Sequence, residues 1–594
     1  SDLLGFSEAG AEDFLLRPAS PAGSSRVFPA TVSLSHPMRT FTLLCALTSS
    51  SCVVFAQTAY DVVVYGATAG GVATAVSAAR SGAKVVLLEP RNQVGGMVAG
   101  GLSGTDVGKR EVIGGLALEF YFRAGRAYGL ERHLQEVAWM PEPKVAARVF
   151  REMLRESGVT LLENHRLREK GGVAREGNRF TTVVLENGAR VAGRVFADAT
   201  YEGDLMAQAG VAYTFGREGV AQYGESLAGV RAVTPSHQFA VDIAARDGSS
   251  RLLPEVSAEP RGEPGSADQR IQAYNFRVIG TNVPENRLPW PRPESYDPAR
   301  DEVLARYLTA MTAHLGRPMK LNEVSLLRVI PNGKVDLNNR GGFSTDFIGR
   351  NYDYPDGSYA TRARIWREHE DYQKGFYYFL ASDPRVPAAL RAEINEYGLA
   401  RDEFTGNGNW PDQLYVREAR RMTGDFVATQ RDLQTDRVKP DAIGMGSYNS
   451  DSHNVQRFVN EKGFVENEGD VQVPVQPYQI PFRVMLPRRA EVANLLVPVC
   501  FSASHIAYSS LRMEPQYMIL GHAAGIAAAD AAKSGRSVQE TDVPRLQATL
   551  LREGAVFERG FDFQEKALAV IRARFRAPVP SGPRAYERAA PGAR

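Results

Sequence analysis

Along its first 210 residues the chain changes hydrophobic period repeatedly, and each change predicts an element. Asp61 to Tyr65 is a short apolar β-branched run, which predicts a strand buried on both faces. Val72 to Ala79 carries small residues suited to a helix packed tightly on that strand, and Val85 to Leu88 predicts a second strand. Pro143 to Ser157 places Val145, Val149, Met153 and Leu154 on one helical face; Gly158 ends it, and Val159 to Leu162 reads as another strand. Arg179 to Leu185 and Ala189 to Val195 flank Asn187-Gly188, a hairpin signal. The strand Arg194 to Ala197 then leads into DATYEGDLM, Asp198 to Met206, with a helix from Leu205 to Ala209. Strands alternating with helices predict the α/β class and a parallel sheet.

From about Val211 to Pro477 the alternation is lost, replaced by Pro-, Arg- and Tyr-rich sequence with scattered helices such as Asp301 to Leu315. This predicts a large inserted mixed α+β domain over residues 211–477. The rhythm returns near Asn494 with the buried run LLVPV, a loop, and a Gly/Ala-rich helix from Glu514 to Ala532. Residues 57–210 and 478–558 therefore read as two parts of one domain. Val543 to Glu553 reads as a closing helix, and 559–594, ending in the Pro- and Arg-rich Arg572 to Arg594, as a mobile tail.

Composition narrows the function. With 43% hydrophobic and 23% charged residues among 594, the chain is ordinary globular material. Its 70 basic and 68 acidic residues leave a formal charge of +2, which gives no electrostatic footprint for nucleic acid. Near the start, Met38-Arg39, the apolar Phe41 to Leu47 and Val54-Phe55-Ala56 have the layout of a secretory signal peptide over 38–56, with a mature start at Gln57. Residues 1–37 then read as a non-native or disordered upstream segment. The threonines and serines of 38–56 make it too polar for stable membrane insertion, so the expected location is periplasmic or extracellular. Of three cysteines only Cys500 would remain, read as a buried small residue.

The most specific chemistry lies between the first two strands. Gly66, Ala67, Thr68, Ala69, Gly70 and Gly71 form a glycine turn opening a helix, where backbone N–H groups and the helix N-terminus can meet a pyrophosphate. Glu89 ends the second strand, about 20 residues on, where a carboxylate can hold ribose hydroxyls. Thr68 departs from GxGxxG: the phosphates must tolerate a β-carbon there, and its hydroxyl is read as a donor to them.

Three more landmarks follow in order: Gly95-Gly96-Met97; VFADATYEGDL around Ala199-Thr200; and NLLVPVCFSASHIAYSSLRMEPQYMILGHAAGIAAA. With these the chain resembles the FAD-dependent oxidoreductases of the glutathione-reductase-like superfamily, and most closely a secreted bacterial branch labelled xanthan-lyase-like. The resemblance implies an FAD-binding Rossmann-like domain with a β-meander, and FAD as cofactor. It implies cofactor contacts at Gly66, Thr68, Ala69, Gly70 and Gly71, at Glu89, Pro90 and Arg91, and at Gly95, Gly96 and Met97. Ala199, Thr200 and Asp204, with Ser504 and Met513, complete that set. Tyr201 stands where many relatives have glycine.

A flavin itself accepts hydride, so the protein need orient substrate and manage a proton. His505, in the loop that the resemblance puts beside the flavin ring, is the first candidate for a base, or alternatively a hydrogen-bond partner of flavin or backbone. Arg512 is a candidate for stabilising negative charge, or for a salt bridge to Glu514. Asp451 and His453, close to Arg457 in YNSDSHNVQRF, form a second polar cluster, too small for a metal site. Tyr274, Asn275, Arg277, Tyr415 and Arg417 would make an exposed aromatic-and-arginine wall suited to a carbohydrate-like ligand. The expected activity is hydride abstraction from a small polar substrate, with a separate electron acceptor. The alternatives are a lyase or isomerase using flavin transiently, and a non-catalytic FAD- or NAD-binding protein.

Overall fold

The computed structural model describes residues 59–130 and 136–576. The upstream segment 1–37 and the signal peptide 38–56 lie outside the described residues. A buried strand β1 (Ala59–Tyr65) enters the helix α1 (Ala69–Arg80) and returns as β2 (Val85–Leu88). After a short helical turn at Gly96–Ala99 come α2 (Gly115–Ala127), α3 (Pro143–Glu156) and β3 (Thr160–Leu162). Next are β4 (Val173–Glu176), β5 (Arg179–Val184) and β6 (Arg190–Asp198), then α4 (Asp204–Gln208).

The sheet order is β3-β2-β1-β6-β5-β4. β3, β2, β1 and β6 are parallel, as βαβ crossovers require, while β4, β5 and β6 form an antiparallel meander turned by the Asn187-Gly188 hairpin. β6 belongs to both halves: Ala59 to Tyr65 register along one side of it, and its other side pairs with β5 through Arg190 to Ala192.

A second, antiparallel sheet comes from the middle of the chain. Its strands are β7 (Val278–Thr281), β8 (Arg287–Leu288), β9 (Ser325–Ile330), β10 (Lys334–Asn339) and β11 (Gly398–Ala400), in the order β8-β11-β7-β10-β9. Two longer helices accompany it, α5 (Glu302–Leu315) and the 24-residue α6 (Tyr359–Ser382). The chain then rejoins the first sheet through β12 (Leu495–Leu496), parallel to β6 beyond the stretch that β5 covers. Only these two residues of the expected LLVPV strand are paired.

The closing helices are α7 (His505–Leu511), α8 (Glu514–Ser534), α9 (Val543–Arg552) and α10 (Phe561–Arg576). α8 packs on α1 at backbone distance: a Cβ at Gly521 would lie 2.2 Å from the Gly70 carbonyl oxygen, and one at Gly525 would lie 2.3 Å from that of Thr74. That approach explains the Gly/Ala richness of α8. α10 corrects the expectation of a mobile tail beginning at residue 559. Its Phe575 packs on Phe122, and Arg574 and Arg572 pair at 2.8 Å with Glu119 and Glu136. Residues 577–594 lie outside the described residues. No described helix is long and apolar enough to cross a membrane.

Candidate active site

The glycine turn is built as the spacing requires, with one correction. Thr68 is extended (φ −62°, ψ 171°) and is the N-cap of α1: its hydroxyl accepts from the Gly71 amide at 3.1 Å and donates to the Ala199 carbonyl at 2.7 Å. The hydroxyl is thus engaged inside the protein rather than directed at a phosphate, and no glycine is needed at this position. Gly71 has no such freedom, since a Cβ there would sit 1.9 Å from the Gly66 carbonyl oxygen. The amides of Ala69 and Gly70 have no partner among the described residues.

Rising numbers in α1 meet rising numbers in α8: Gly70 lies against Tyr517, Thr74 against Gly525, and Ser77 donates to the His522 carbonyl at 2.8 Å. The two helices therefore run in the same direction, and their N-termini finish at the same end. There the Glu514 and Gln516 amides lack partners among the described residues. So do Arg512 Nε, Glu514 Oε2 and both amide atoms of the Gln516 side chain, all buried. Paired helix N-termini with unused donors form a site for an anionic, polar ligand.

The other residues expected at the cofactor divide into those lining this end and those anchoring it. Glu89 accepts from the Ala67 amide at 2.8 Å and the Arg91 amide at 2.9 Å; burial raises its pKa to about 7, against the pull of Arg91. Arg91, next to the half-buried Pro90, stacks on Trp366 and donates to Asp412 and Gln413. Gly95 and Gly96 have φ of 102° and 53°, and the Met97 amide donates to the Tyr201 hydroxyl at 2.9 Å.

Ala199 receives the Thr68 bond, while Thr200 donates to Asp198 at 2.7 Å and holds the turn into α4. Asp204 is taken by Arg362 and Arg420, each at 2.7 Å, so it anchors the fold rather than a cofactor. Ser504 caps α7 and donates to Glu225 at 2.6 Å, and Met513 is the buried N-cap of α8. Cys500 is buried, its thiol 3.4 Å from the carbonyls of Thr200 and Tyr201.

Arg512, Asp451 and His453 come together, and His505 does not join them. Arg512 donates to the Asp451 carbonyl at 2.7 Å and to Tyr415 OH at 3.2 Å; Arg417 stacks on the same Tyr415 ring. Arg417 pairs at 3.0 Å with Asp346, which holds His453 Nδ1 at 2.8 Å, and His453 Nε2 lies 3.7 Å from Asp451 Oδ1. Burial opposes ionisation of Asp346, but Arg417 and His453 hold its pKa down at about 2. Burial and the Arg417 charge depress the His453 pKa, against Asp346 and Asp451. His237 stacks on His453 with ring centroids 5.8 Å apart and pairs with Asp470 at 2.8 Å; at 24% exposure it is the cluster's opening to solvent.

His505, at the opposite end of α7, lies in a separate network. Glu218 takes both its amide and its Nδ1 at 2.9 Å, and Arg421 pairs with Glu218 at 2.7 Å. The exposed wall is corrected as well: Tyr274, Asn275, Arg277 and Arg417 are buried, with Arg277 forked onto Asp336 at 2.9 and 2.8 Å. Arg457 is buried too, donating to Asn467 and to the Gly342 and Phe343 carbonyls. The only described acidic cluster with metal-ligand spacing, Glu142, Asp402 and Glu403, is closed on the ammonium of Lys334.

The family model of FAD dependent oxidoreductases matches residues 61–550. The chain belongs to that family. FAD is its cofactor. The donors at the paired helix ends and the carboxylate of Glu89 suit a diphosphate, a ribose and a polar ring, so the residues present fit FAD.

No curated protein matches the chain. Among solved structures it is similar to THI4 of Thermovibrio ammonificans (17% identity, 27% of this chain and 66% of that one, TM-score 0.20). Two others are a 3-ketosteroid-Δ4-(5α)-dehydrogenase of Rhodococcus jostii (17%, 25% and 47%, 0.18) and a flavin-containing monooxygenase of Stenotrophomonas maltophilia (17%, 28% and 43%, 0.17). The matched part of the chain thus spans from 43% to 66% of these proteins' lengths.

The sequence reading missed Asp346, His237 and Asp470, which reach the cluster from loops with no local signal. It also missed the role of Glu514. No Arg512–Glu514 pair forms; Glu514 instead accepts from Tyr201 OH at 2.8 Å.

Proposed function

We propose that this flavin oxidoreductase takes a hydride from a C–H bond of a small hydroxylated substrate while His453 removes the hydroxyl proton. Bound FAD supplies the hydride acceptor, and a separate electron acceptor returns it to the oxidised state. The observation that carries the reading is the position of His453. Its Nδ1 is held by Asp346 at 2.8 Å, which leaves Nε2 as the nitrogen able to take a proton. Its cluster is tied by Arg512 to the start of α8, where the polar atoms suited to the cofactor gather.

Asp451 Oδ1 stands where it would stabilise the imidazolium that proton removal creates, and Asp346 does the same from the other nitrogen. A carbohydrate-like or otherwise polyhydroxylated substrate suits the group of His237, Gln472, Asp451 and Asp470, which sets an amide and an imidazole donor beside carboxylate acceptors. His505, about 10 Å along α7 from Arg512 at 1.5 Å per residue, is fastened to Glu218 and serves to hold that helix.

The test is an anaerobic panel of sugars, polyols and hydroxy acids, scored by bleaching of the visible flavin band. With a bleaching substrate in hand, His453→Asn should slow reduction about 10²- to 10⁴-fold. His505→Asn should leave it within a small factor of wild type. Wild-type bleaching by His453→Asn, or its loss in His505→Asn alone, would return the role of base to His505.

A further inference from the structure

Glu514 opens the 21-residue α8 and is 1% exposed. One carboxyl oxygen, Oε1, accepts from Tyr201 OH at 2.8 Å, and that hydroxyl in turn accepts from the Met97 amide at 2.9 Å. The other oxygen, Oε2, is buried without a partner, two residues from a Gln516 side chain whose amide oxygen and nitrogen are also buried and unpaired. A buried polar atom left unpaired carries its full desolvation cost, so three of them at one spot point to a ligand rather than to packing. The spot is the common end of α1 and α8, where Tyr201 OH lies 2.2 Å from where a Cβ of Gly96 would stand.

We propose that Glu514 binds FAD as a neutral carboxylic acid, its Oε2–H donated to an oxygen of the cofactor, so that the protonation of this one side chain sets FAD affinity. Two physical facts support the neutral form. No described cation pairs with Glu514, and the groups facing it are phenols: Tyr201 from the turn after β6, Tyr121 from α2 and Tyr517 from α8. Arg512, next but one in sequence, gives its two terminal nitrogens to Tyr415 and the Asp451 carbonyl and makes no ion pair with Glu514; its Nε stays unpaired. A carboxylate beside a diphosphate would be repelled, whereas a carboxylic acid contributes a hydrogen bond there. The chain Met97 N–H to Tyr201 OH to Oε1 fixes which oxygen is the acceptor and leaves Oε2 to carry the proton.

Burial raises the Glu514 pKa to about 8, and the Tyr201 bond pulls it the other way. Because only the protonated form binds well, affinity is full below that value and falls as pH rises through it.

The experiment is titration of the FAD-stripped full chain with FAD, read by flavin fluorescence, from about pH 6.5 to about pH 9.5. Wild type should weaken about tenfold per pH unit above 8. Glu514→Gln keeps a donor that cannot ionise, and should bind with a flat profile. Tyr201→Phe removes the bond that favours the charged form, and should move the wild-type break to higher pH. Circular dichroism of each stripped variant reports folding. A flat wild-type profile, a Glu514→Gln profile with the wild-type slope, or an unmoved break in Tyr201→Phe would each overturn the proposal. The Tyr201→Phe arm stands if Glu514→Gln fails to fold.

Discussion

Replacing Asp346 by asparagine separates what the buried cluster does for stability from what it does for chemistry. Asp346 is 3% exposed, 3.0 Å from Arg417 and 2.8 Å from His453. The substitution would keep the side chain's volume and remove its charge. The Arg417 guanidinium, fully buried and otherwise bonded to the neutral Ala273 carbonyl and Asn275, would then lack its counterion. Removing one partner of a buried ion pair costs about 3–5 kcal/mol.

At about 2.1 cal/mol/K of unfolding entropy per residue, a fold of about 500 residues loses roughly 1 °C of melting temperature per kcal/mol, so Asp346→Asn should melt about 3–5 °C lower. The pH dependence has a defined sign. The folded pKa of about 2 lies below the ordinary value for Asp, so the carboxylate's contribution is complete above about pH 4 and is lost as pH falls toward 2. The stability gap between wild type and Asp346→Asn should therefore be constant from neutral pH down to about 5 and close in stronger acid.

A second change decides between roles. In Asp346→Asn with Arg417→Met no buried charge is left unpaired, so most of the stability should return. Flavin reduction should stay impaired, because His453 still lacks the carboxylate on Nδ1. Calorimetry and anaerobic flavin bleaching measure the two halves. Asp346→Asn melting within about 1 °C of wild type, or a double variant that recovers rate together with stability, would refute this account of the cluster.

Lys334→Met should cost about 3–5 kcal/mol in chemical unfolding, because it removes the buried ammonium 2.6 Å from both Glu142 and Glu403 and leaves only the exposed Lys144 beside them and Asp402. Gly71→Ala should lose bound FAD, read as the flavin-to-protein absorbance ratio, since its Cβ would press on the Gly66 carbonyl from 1.9 Å. Thr68→Ala should lower stability by about 1 kcal/mol in thermal unfolding through loss of the α1 N-cap, with FAD still bound. For the leader-like segment 38–56, mass spectrometry of exported protein should find Gln57 as the first residue.

What could be read from sequence was set by how local its cause is. β1, α1 and β2 follow from period and glycine placement within thirty or so residues, and they form nearly where the pattern puts them. The hairpin at Asn187-Gly188 is legible for the same reason. α10 also had a local signal, with Phe563, Ala567, Ile571 and Phe575 at helical spacing, but the Pro- and Arg-rich residues after it set the composition of the whole tail.

The site is different, because its chemistry depends on partners chosen by the fold. His453 stands out in sequence, yet the atom that fixes its tautomer belongs to Asp346, in a loop between β10 and α6. Arg417 reads as part of an exposed ligand wall until Asp346 and Tyr415 are seen to occupy it. Tyr201 reads as a missing glycine, but it carries the Met97 amide's hydrogen bond through to Glu514, and Thr68, the other departure, caps α1 with a hydroxyl that glycine lacks. Each of these two exceptions to the glycine pattern puts a hydroxyl where the backbone would otherwise leave a polar group unmet at the cofactor end of α1.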